Sequence, residues 1–130
     1  MSLTVLAVDD SRTMRDMLKL SLTQAGFSPQ LAHDGQDGLE VLDRLAAGPD
    51  AIITDINMPR LDGFGFIAAV RRQERFRTMP ILVLTTESAP ELKRRAREAG
   101  ATGWIVKPFD PERLVRALQM VTGQGMRGSA

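Results

Sequence analysis

Several short apolar runs in this chain end in side chains that could act together chemically. Asp9 and Asp10 follow the first run, and Asp55 follows a later one. Thr85 and Lys107 close two more. Taken singly, an aspartate after a strand could be a metal ligand, a nucleophile or a helix cap, and a cap is the commonest role. The chemistry therefore depends on whether the fold brings these residues together.

The three aspartates would favour a cation if they met at one edge of a sheet. Two carboxylates about 4 Å apart repel by roughly 4 kcal/mol at an effective dielectric constant near 20, so gathering three requires a counter-charge. Oxygen ligands suit a hard divalent ion such as Mg²⁺. These residues together suit phosphoryl transfer. Lys107 could neutralise the developing negative charge, Thr85 could donate a hydrogen bond, and a carboxylate could attack phosphorus. The sequence has no P-loop pattern, so a bound nucleotide is not the obvious phosphoryl source.

The elements that would position these residues alternate between strand and helix. Five short β-rich runs are each followed by a segment with helical spacing of apolar residues. This pattern requires a mostly parallel sheet with helices on both faces and right-handed crossovers. We predict an α/β fold, a flavodoxin-like (βα)5 doubly wound parallel sheet with strand order 2-1-3-4-5. In that order Asp9 and Asp10 lie beside Asp55 at the carboxyl edge.

Local signals predict how several helices begin and which residues they bury. Helix N-caps are predicted at Ser11, Asp34 and Asp110. Ser88-Ala89-Pro90-Glu91 has the form of a capping box, which makes Ser88 the N-cap of the fourth helix. Met17 has the helical spacing of an inward position. Four arginines near the end of the third helix are interpreted as solvated: Arg71, Arg72, Arg75 and Arg77.

Composition excludes several classes of protein. The 130 residues suit one domain, and 17 basic against 16 acidic residues give a net charge of +1, too balanced for a dedicated nucleic-acid binder. The absence of cysteine excludes disulfides and thiolate metal sites. No apolar run approaches the ~18 residues of a membrane span. We expect a monomeric cytoplasmic protein with a domain over residues 1–122 and a flexible tail over residues 123–130.

A set of short motifs occurs in order at the spacing of βα units. The motifs are Asp9-Asp10, Asp55-x-x-Met58-Pro59-x-x-Asp62-Gly63, Thr85, and Lys107-Pro108-Phe109. Each alone is weak, but together they strongly resemble the receiver domain of two-component response regulators. The resemblance spans roughly residues 3–122. Because no output domain is present, the chain is most similar to single-domain regulators of the chemotaxis CheY type.

The resemblance implies a role for each residue of the acidic site. Asp55 would take a phosphoryl group from a phosphohistidine on a CheA-like histidine kinase. Asp10 would ligate Mg²⁺ directly, and Asp9 would act through water. Asn57 would contribute its backbone carbonyl to the metal, and Lys107 would pair with the phosphoryl group. The protein would not be an enzyme, although it would assist its own phosphorylation and dephosphorylation.

The resemblance also implies a conformational switch. Thr85 would move inward to hydrogen-bond the phosphoryl group. Trp104 occupies the aromatic switch position, where CheY-type members more often carry tyrosine. Asn57 and Glu87 match the positions that govern hydrolysis of the acyl phosphate, and both are as in fast-cycling chemotaxis members. We therefore expect a short-lived phosphoryl state.

The family's output surface corresponds here to Pro90–Gly100, Gly103–Val106 and Asp110–Val121. We expect it to bind a target, the flagellar motor switch protein in chemotaxis. Gly63 and Pro108 would be structural, and because the family's Lys-Pro bond is cis, we expect the bond between Lys107 and Pro108 to be cis.

Two other functions stay open. The same chemistry would serve a phosphoryl shuttle or phosphate sink that has no output partner. A Mg²⁺-dependent phosphatase with an aspartyl-phosphate intermediate is less favoured. Such enzymes usually carry a second acid two residues after the nucleophile, where this chain has Asn57. They also need a cap domain or substrate cleft, for which 130 residues leave little room.

Overall fold

The computed structural model describes residues 2–123, in which strands and helices alternate along the chain. The strands are β1 (Thr4–Val8), β2 (Ser28–Ala32), β3 (Ala51–Thr54), β4 (Ile81–Thr85) and β5 (Gly103–Val106). The helices are α1 (Arg12–Gln24), α2 (Gly35–Arg44), α3 (Gly63–Arg72), α4 (Pro90–Ala99) and α5 (Pro111–Val121), with a 3-10 turn at Glu74–Phe76. Within the described residues each helix is too short or too polar to traverse a bilayer. Apart from Gly123, the predicted tail lies outside the described residues.

The five strands form one parallel sheet in the order β2-β1-β3-β4-β5, so the predicted topology is confirmed. The last residues of β1 and β3, Val8 and Thr54, are paired. Asp9 and Asp55 therefore leave the sheet side by side. The last residue of β4, Thr85, is likewise paired with the last residue of β5. The register thus places the polar residues that follow four strands at one edge of the sheet.

Alternate residues of the inner strands pack on opposite faces of the sheet. Leu6 of β1 belongs to one buried cluster with Phe66 of α3, on the face covered by α2, α3 and α4. Its neighbour Val5 belongs to a second cluster with Leu18 of α1 and Leu114 of α5. All five side chains are fully buried, and burying each contributes about 1.5–3 kcal/mol. The sheet that carries the polar edge is therefore fixed from both sides.

The predicted N-caps of three helices are confirmed. The side chains of Ser11, Asp34 and Asp110 accept hydrogen bonds from first-turn backbone N–H groups at 3.2, 2.8 and 3.1 Å. Asp62 caps α3 in the same way, through the N–H of Gly65 at 2.8 Å. Each cap satisfies a backbone donor that has no partner within its helix.

The predicted capping box at the start of α4 is wrong. Ala89 is the N-cap, and no side chain caps this end of the helix. A proline disfavours helical geometry in the residue before it, and Ala89 is extended, with ψ 131°. Pro90 is therefore the first helical residue, and Ser88 lies one position too early to cap.

The opposite end of α4 is held firmly. Gly100 ends the helix with a left-handed φ of 116°, and its carbonyl accepts two hydrogen bonds from the Arg71 guanidinium at 3.1 and 2.8 Å. The interpretation of Arg71 as solvated is therefore wrong. Burial lowers the pKa of Arg71, which has carbonyl rather than carboxylate partners. Arg75 likewise donates to two carbonyls, at 3.1 and 3.2 Å.

One predicted core position on α1 is also wrong. Met17 is 47% exposed, whereas Leu18 and Leu22 are fully buried. Met14 packs against the same cluster as these leucines. The buried stripe of α1 therefore follows a spacing of four residues, and Met17 lies beside it rather than on it.

Gly63→Ala should destabilise the fold. A Cβ at this position would lie 2.2 Å from the carbonyl oxygen of Asp55 and 2.7 Å from the Cα of Ile56. Backbone atoms cannot move aside as a side-chain end can, so we expect a loss of roughly 1–3 kcal/mol in the free energy of unfolding. Urea denaturation measures it. Gly65→Ala is the matched control, since its nearest neighbour is the flexible Cδ1 of Leu61 at 2.6 Å. Equal losses in the two variants would contradict this explanation.

Candidate functional site

The carboxyl edge between β1 and β3 holds three carboxylates close together. Ligand oxygens of Asp9, Asp10 and Asp55 all lie within 4.8 Å of one another. Asp9 is 1% exposed and Asp55 is 7% exposed, whereas Asp10 is open to solvent. The predicted meeting of these aspartates is therefore observed, with two members buried and one accessible.

Lys107 supplies the counter-charge. Its Nζ donates to Asp9 Oδ2 at 2.7 Å and to Asp55 Oδ2 at 2.8 Å. The lysine side chain is only 10% exposed. Burial opposes its charge, but the hydrogen bonds to Asp55 and Asp9 outweigh that effect and raise the pKa of Lys107. The ammonium group thus stays charged and joins the end of β5 to the ends of β1 and β3.

Asp9 is fixed by the start of α1. Its Oδ1 accepts a hydrogen bond from the N–H of Ser11 at 2.9 Å, and its backbone carbonyl accepts one from Arg15 at 2.7 Å. Burial raises the pKa of Asp9, and the nearby charge of Asp55 adds to this. The bonds from Lys107 and Ser11 act in the opposite direction but are weaker than the effect of burial.

Both carboxylate oxygens of Asp55 have donors. Oδ1 accepts from the N–H of Ile56 at 2.6 Å, and Oδ2 accepts from Lys107 at 2.8 Å. The loop that follows is closed by the N–H of Gly63, which donates to the Ile56 carbonyl at 2.8 Å. These bonds hold the carboxylate in a fixed orientation at the sheet edge.

Glu87 connects the acidic site to the aromatic switch position. Its Oε1 accepts from the Asn57 side chain at 3.1 Å, and its backbone carbonyl accepts from the indole N–H of Trp104 at 3.0 Å. Its own N–H donates to the hydroxyl of the buried Thr85 at 3.4 Å. Four residues that the sequence singled out are therefore joined by one chain of hydrogen bonds.

A second ion pair next to the site was not predicted from the sequence. The Arg60 guanidinium donates to both oxygens of Asp34, at 2.7 and 3.0 Å. Asp34 is 2% exposed, and the hydrogen bonds from Arg60 are the main reason that its pKa is lowered. Arg60 has a φ of 65°, in the left-handed region that few residues other than glycine adopt. The sequence predicted Asp34 only as a helix cap.

The donor set suits a divalent cation. Three carboxylates meet one ammonium group, which leaves an excess of negative charge at the edge. Carboxylate oxygens with an accessible member suit Mg²⁺, which accepts few carboxylates and keeps several waters. The peptide bond between Lys107 and Pro108 is cis, as predicted.

Comparison with known proteins agrees with this geometry. The family model described as response regulator receiver domain matches residues 5–119. This chain belongs to that family. Receiver domains of this family generally bind Mg²⁺ at an acidic pocket, and Asp9, Asp10 and Asp55 form an acidic cluster at the corresponding edge of the sheet here.

The receiver domain is similar to chemotaxis proteins over nearly its whole length. The chemotaxis protein CheY1 of Helicobacter pylori is 38% identical over 121 residues, which cover 92% of this chain and 96% of that protein. A CheY homolog of Campylobacter jejuni is 38% identical over 123 residues, with 93% of each chain covered. The structure of Vibrio cholerae CheY4 superposes with a TM-score of 0.88 at 45% identity, covering 93% of this chain and 99% of that one. The receiver is thus a two-component response regulator of the CheY chemotaxis type, which implies a histidine kinase as phosphodonor and a downstream target.

Asp9→Asn should raise the free energy of unfolding at pH 7 when divalent ions are removed. Because burial raises the pKa of Asp9 in the folded state, stability falls as pH rises from the unfolded pKa of about 3.9 through the folded pKa. The neutral amide avoids this loss, and we expect a gain on the order of 1 kcal/mol, the usual scale of a single substitution.

Urea unfolding in EDTA at pH 7 and pH 4 measures the effect. The gain should shrink at pH 4, because the raised pKa of the wild-type carboxyl means that more of it is protonated there than at pH 7. Asp43→Asn, at an exposed position on α2, is the matched control and should change stability little. A less stable Asp9→Asn protein at pH 7 would show that the bond to Lys107 outweighs burial.

Proposed function

We propose that Asp55 accepts a phosphoryl group from the phosphohistidine of a CheA-like histidine kinase. The observation that supports this most directly is the Lys107 ammonium group, 2.8 Å from the Asp55 carboxylate and bridged to Asp9. Phosphoryl transfer depends mainly on positioning and on neutralising the charge of the transferred group. A fixed carboxylate beside a fixed cation meets both needs.

The transfer forms one bond and breaks another. A carboxylate oxygen of Asp55 attacks phosphorus while the P–N bond of the phosphohistidine breaks, and the imidazole nitrogen leaves with the electron pair and takes a proton. The product is an acyl phosphate on Asp55, with Lys107 placed to pair with its oxygens. Hydrolysis by water restores the carboxylate and releases inorganic phosphate. In this proposal the protein is an acceptor that assists both steps, rather than an enzyme acting on a separate substrate.

We assign Mg²⁺ to the acidic edge. Asp10 and Asp55 would bind it directly, Asn57 would contribute its backbone carbonyl, and Asp9 would act through water. When bound, the ion neutralises the carboxylates and the incoming phosphoryl oxygens. Support comes from the excess negative charge of three carboxylates against one ammonium group.

Thr85 and Trp104 would transmit the phosphorylation through Glu87. An added phosphoryl group carries nearly two negative charges, and a shift from 1:99 to 99:1 needs about 5.5 kcal/mol of differential binding. Charge-assisted hydrogen bonds from Lys107 and Thr85, at roughly 1.5–3 kcal/mol each, are of the right size. If the Thr85 hydroxyl turns towards the phosphoryl group, it leaves the N–H of Glu87, now 3.4 Å away. Loss of that bond would affect Glu87, whose backbone carbonyl accepts the hydrogen bond from Trp104.

The output surface would be formed by α4, β5 and α5, with the flagellar motor switch protein as target. Lys93 and Arg97 of α4 line one cavity together with Trp104 of β5. Both basic residues are exposed. Movement of the indole would therefore reshape the surface that these cations border, and a target could distinguish the two forms there.

Wild-type protein treated with acetyl phosphate and Mg²⁺ should gain the mass of one phosphoryl group, measured by intact mass spectrometry. Asp55→Asn should gain none, because the amide is not a nucleophile of this kind. The group should be lost quickly after the donor is removed, in keeping with Asn57 and Glu87. Equal labelling of Asp55→Asn would place the acceptor elsewhere, and a phosphoryl group that persists for hours with Mg²⁺ would contradict rapid hydrolysis.

Trp104 is the single tryptophan, so its fluorescence should change when Mg²⁺ and beryllofluoride are added to wild-type protein but not to Asp55→Asn. Capture of purified motor switch protein should increase under the same conditions. A fluorescence response without increased capture would favour the phosphoryl shuttle or sink. An unresponsive tryptophan in phosphorylated protein would remove Trp104 from the switch, and turnover of free phosphoesters would indicate a phosphatase.

A further inference from the structure

We propose that Arg60 is a positioning residue for the acceptor loop, defined here as residues 56–61. Through its ion pair with Asp34, Arg60 fixes the loop that presents Asn57 beside Asp55. The inference rests on the proposed role of Asp55 and its Mg²⁺.

The ion pair has the paired geometry of a clamp, with the Asp34 side chain buried and the Arg60 side chain half exposed. Arg60 donates through Nε to Asp34 Oδ2 at 2.7 Å and through Nη2 to Oδ1 at 3.0 Å. Two parallel bonds fix orientation as well as distance. The carboxylate is itself immobile, because it is 2% exposed and also caps α2 through the N–H of Asp37 at 2.8 Å. The acceptor loop is therefore tied to the first turn of α2.

The backbone of the loop needs such a clamp. Arg60 adopts a φ of 65°, which is unfavourable for an L-residue other than glycine, asparagine or aspartate. The adjacent residue Leu61 is tied to α2 as well, since its carbonyl accepts from the N–H of Gly35 at 3.1 Å. A Cβ at Gly35 would lie 2.5 Å from that carbonyl oxygen, so the loop and the helix approach closely. Within the loop, the N–H of Leu61 donates to the Pro59 carbonyl at 2.7 Å across Arg60, and the ion pair adds a second restraint on the same conformation.

The clamp is one of two attachments on either side of the acceptor. On one side, Arg60 binds the start of α2. On the other, the Asn57 side chain donates to Glu87 Oε1 at 3.1 Å. Asn57, two positions after Asp55, itself makes the second attachment, and only residues 58 and 59 separate it from Arg60. Releasing Arg60 would let the loop shift, which would displace both the Asn57 carbonyl and its bond to Glu87.

Charge and position predict opposite results when Arg60 is replaced. By charge alone, removing a cation near an acidic site strengthens the binding of another cation. Loss of positioning weakens Mg²⁺ binding, because a displaced Asn57 carbonyl is a poorer ligand. Arg60→Asn separates the two effects, since asparagine tolerates the left-handed backbone but has no guanidinium.

The test is calorimetric titration of the full chain with Mg²⁺ alone, at a temperature where every variant is folded. Partners bonded directly to a metal ligand typically change affinity by 10–100-fold, so we expect Arg60→Asn to raise the Kd about 3–10-fold. Arg60→Lys, which keeps the charge without the paired bonds, should lie between that variant and wild type. Arg72→Asn, at an exposed position on α3, is the matched control and should bind as wild type. An unchanged or lower Kd for Arg60→Asn overturns the proposal.

Two further measurements separate positioning from a general loss of stability. Amide hydrogen exchange at Leu61 and Gly35, whose N–H groups donate to the carbonyls of Pro59 and Leu61, should become faster in Arg60→Asn, and unchanged exchange there overturns the proposal. Asp34→Ser keeps a helix cap but removes the anion. If the residues act as a pair, the double variant Asp34→Ser with Arg60→Asn should bind Mg²⁺ no more weakly than the weaker single variant. If the losses of Mg²⁺ affinity in the two single variants add fully in the double variant, the two residues do not act as a pair and that part of the proposal is overturned.

The outcomes distinguish this inference from the proposed function. If wild type is not labelled by acetyl phosphate and Mg²⁺, the proposed role of Asp55 fails, whatever Arg60 does. If wild type is labelled and Arg60→Asn binds Mg²⁺ as wild type does, only the positioning role fails.

Discussion

The ammonium group of Lys107 between Asp9 and Asp55 is the contact on which the rest of the site depends. It joins the ends of β5, β1 and β3 at distances of 2.7 and 2.8 Å, in a place with little solvent. One cation against three carboxylates leaves the edge negatively charged. The edge of the sheet therefore carries an arrangement of charge that is unfavourable by itself, and a further cation or a change in the charge of Asp55 would relieve or redistribute it.

Much of the fold could be predicted because its signals are local and agree with one another. Apolar runs that alternate with helical segments leave few topologies, and caps such as Asp34 mark where helices begin. Two of the local errors have different causes. At Ser88 the capping pattern competed with the restriction that Pro90 places on Ala89. At Met17 helical spacing alone could not show how narrow the buried stripe is.

The acidic site was predictable for a different reason: parallel strands end at the same edge, so residues far apart in sequence meet there. The contacts around it were not predictable. Trp104 binds the backbone carbonyl of Glu87, 17 residues away, and a backbone acceptor leaves no mark in the residue type. Arg60 reaches Asp34 across 26 residues from a left-handed conformation that is untypical of arginine. Such contacts depend on loop geometry, which residue patterns do not encode.

The unequal ends of α4 have a mechanical consequence. Its first turn has no side-chain cap, whereas its last turn is held through the Gly100 carbonyl by Arg71. The Gly100 end therefore has a side-chain anchor that the first turn lacks. A disturbance that enters at Glu87, next to the uncapped end, would tilt α4 rather than translate it. Displacement would be greatest around Glu91 and would decrease towards Arg97. A target that contacts the first turn of α4 would therefore distinguish the two forms of the protein best.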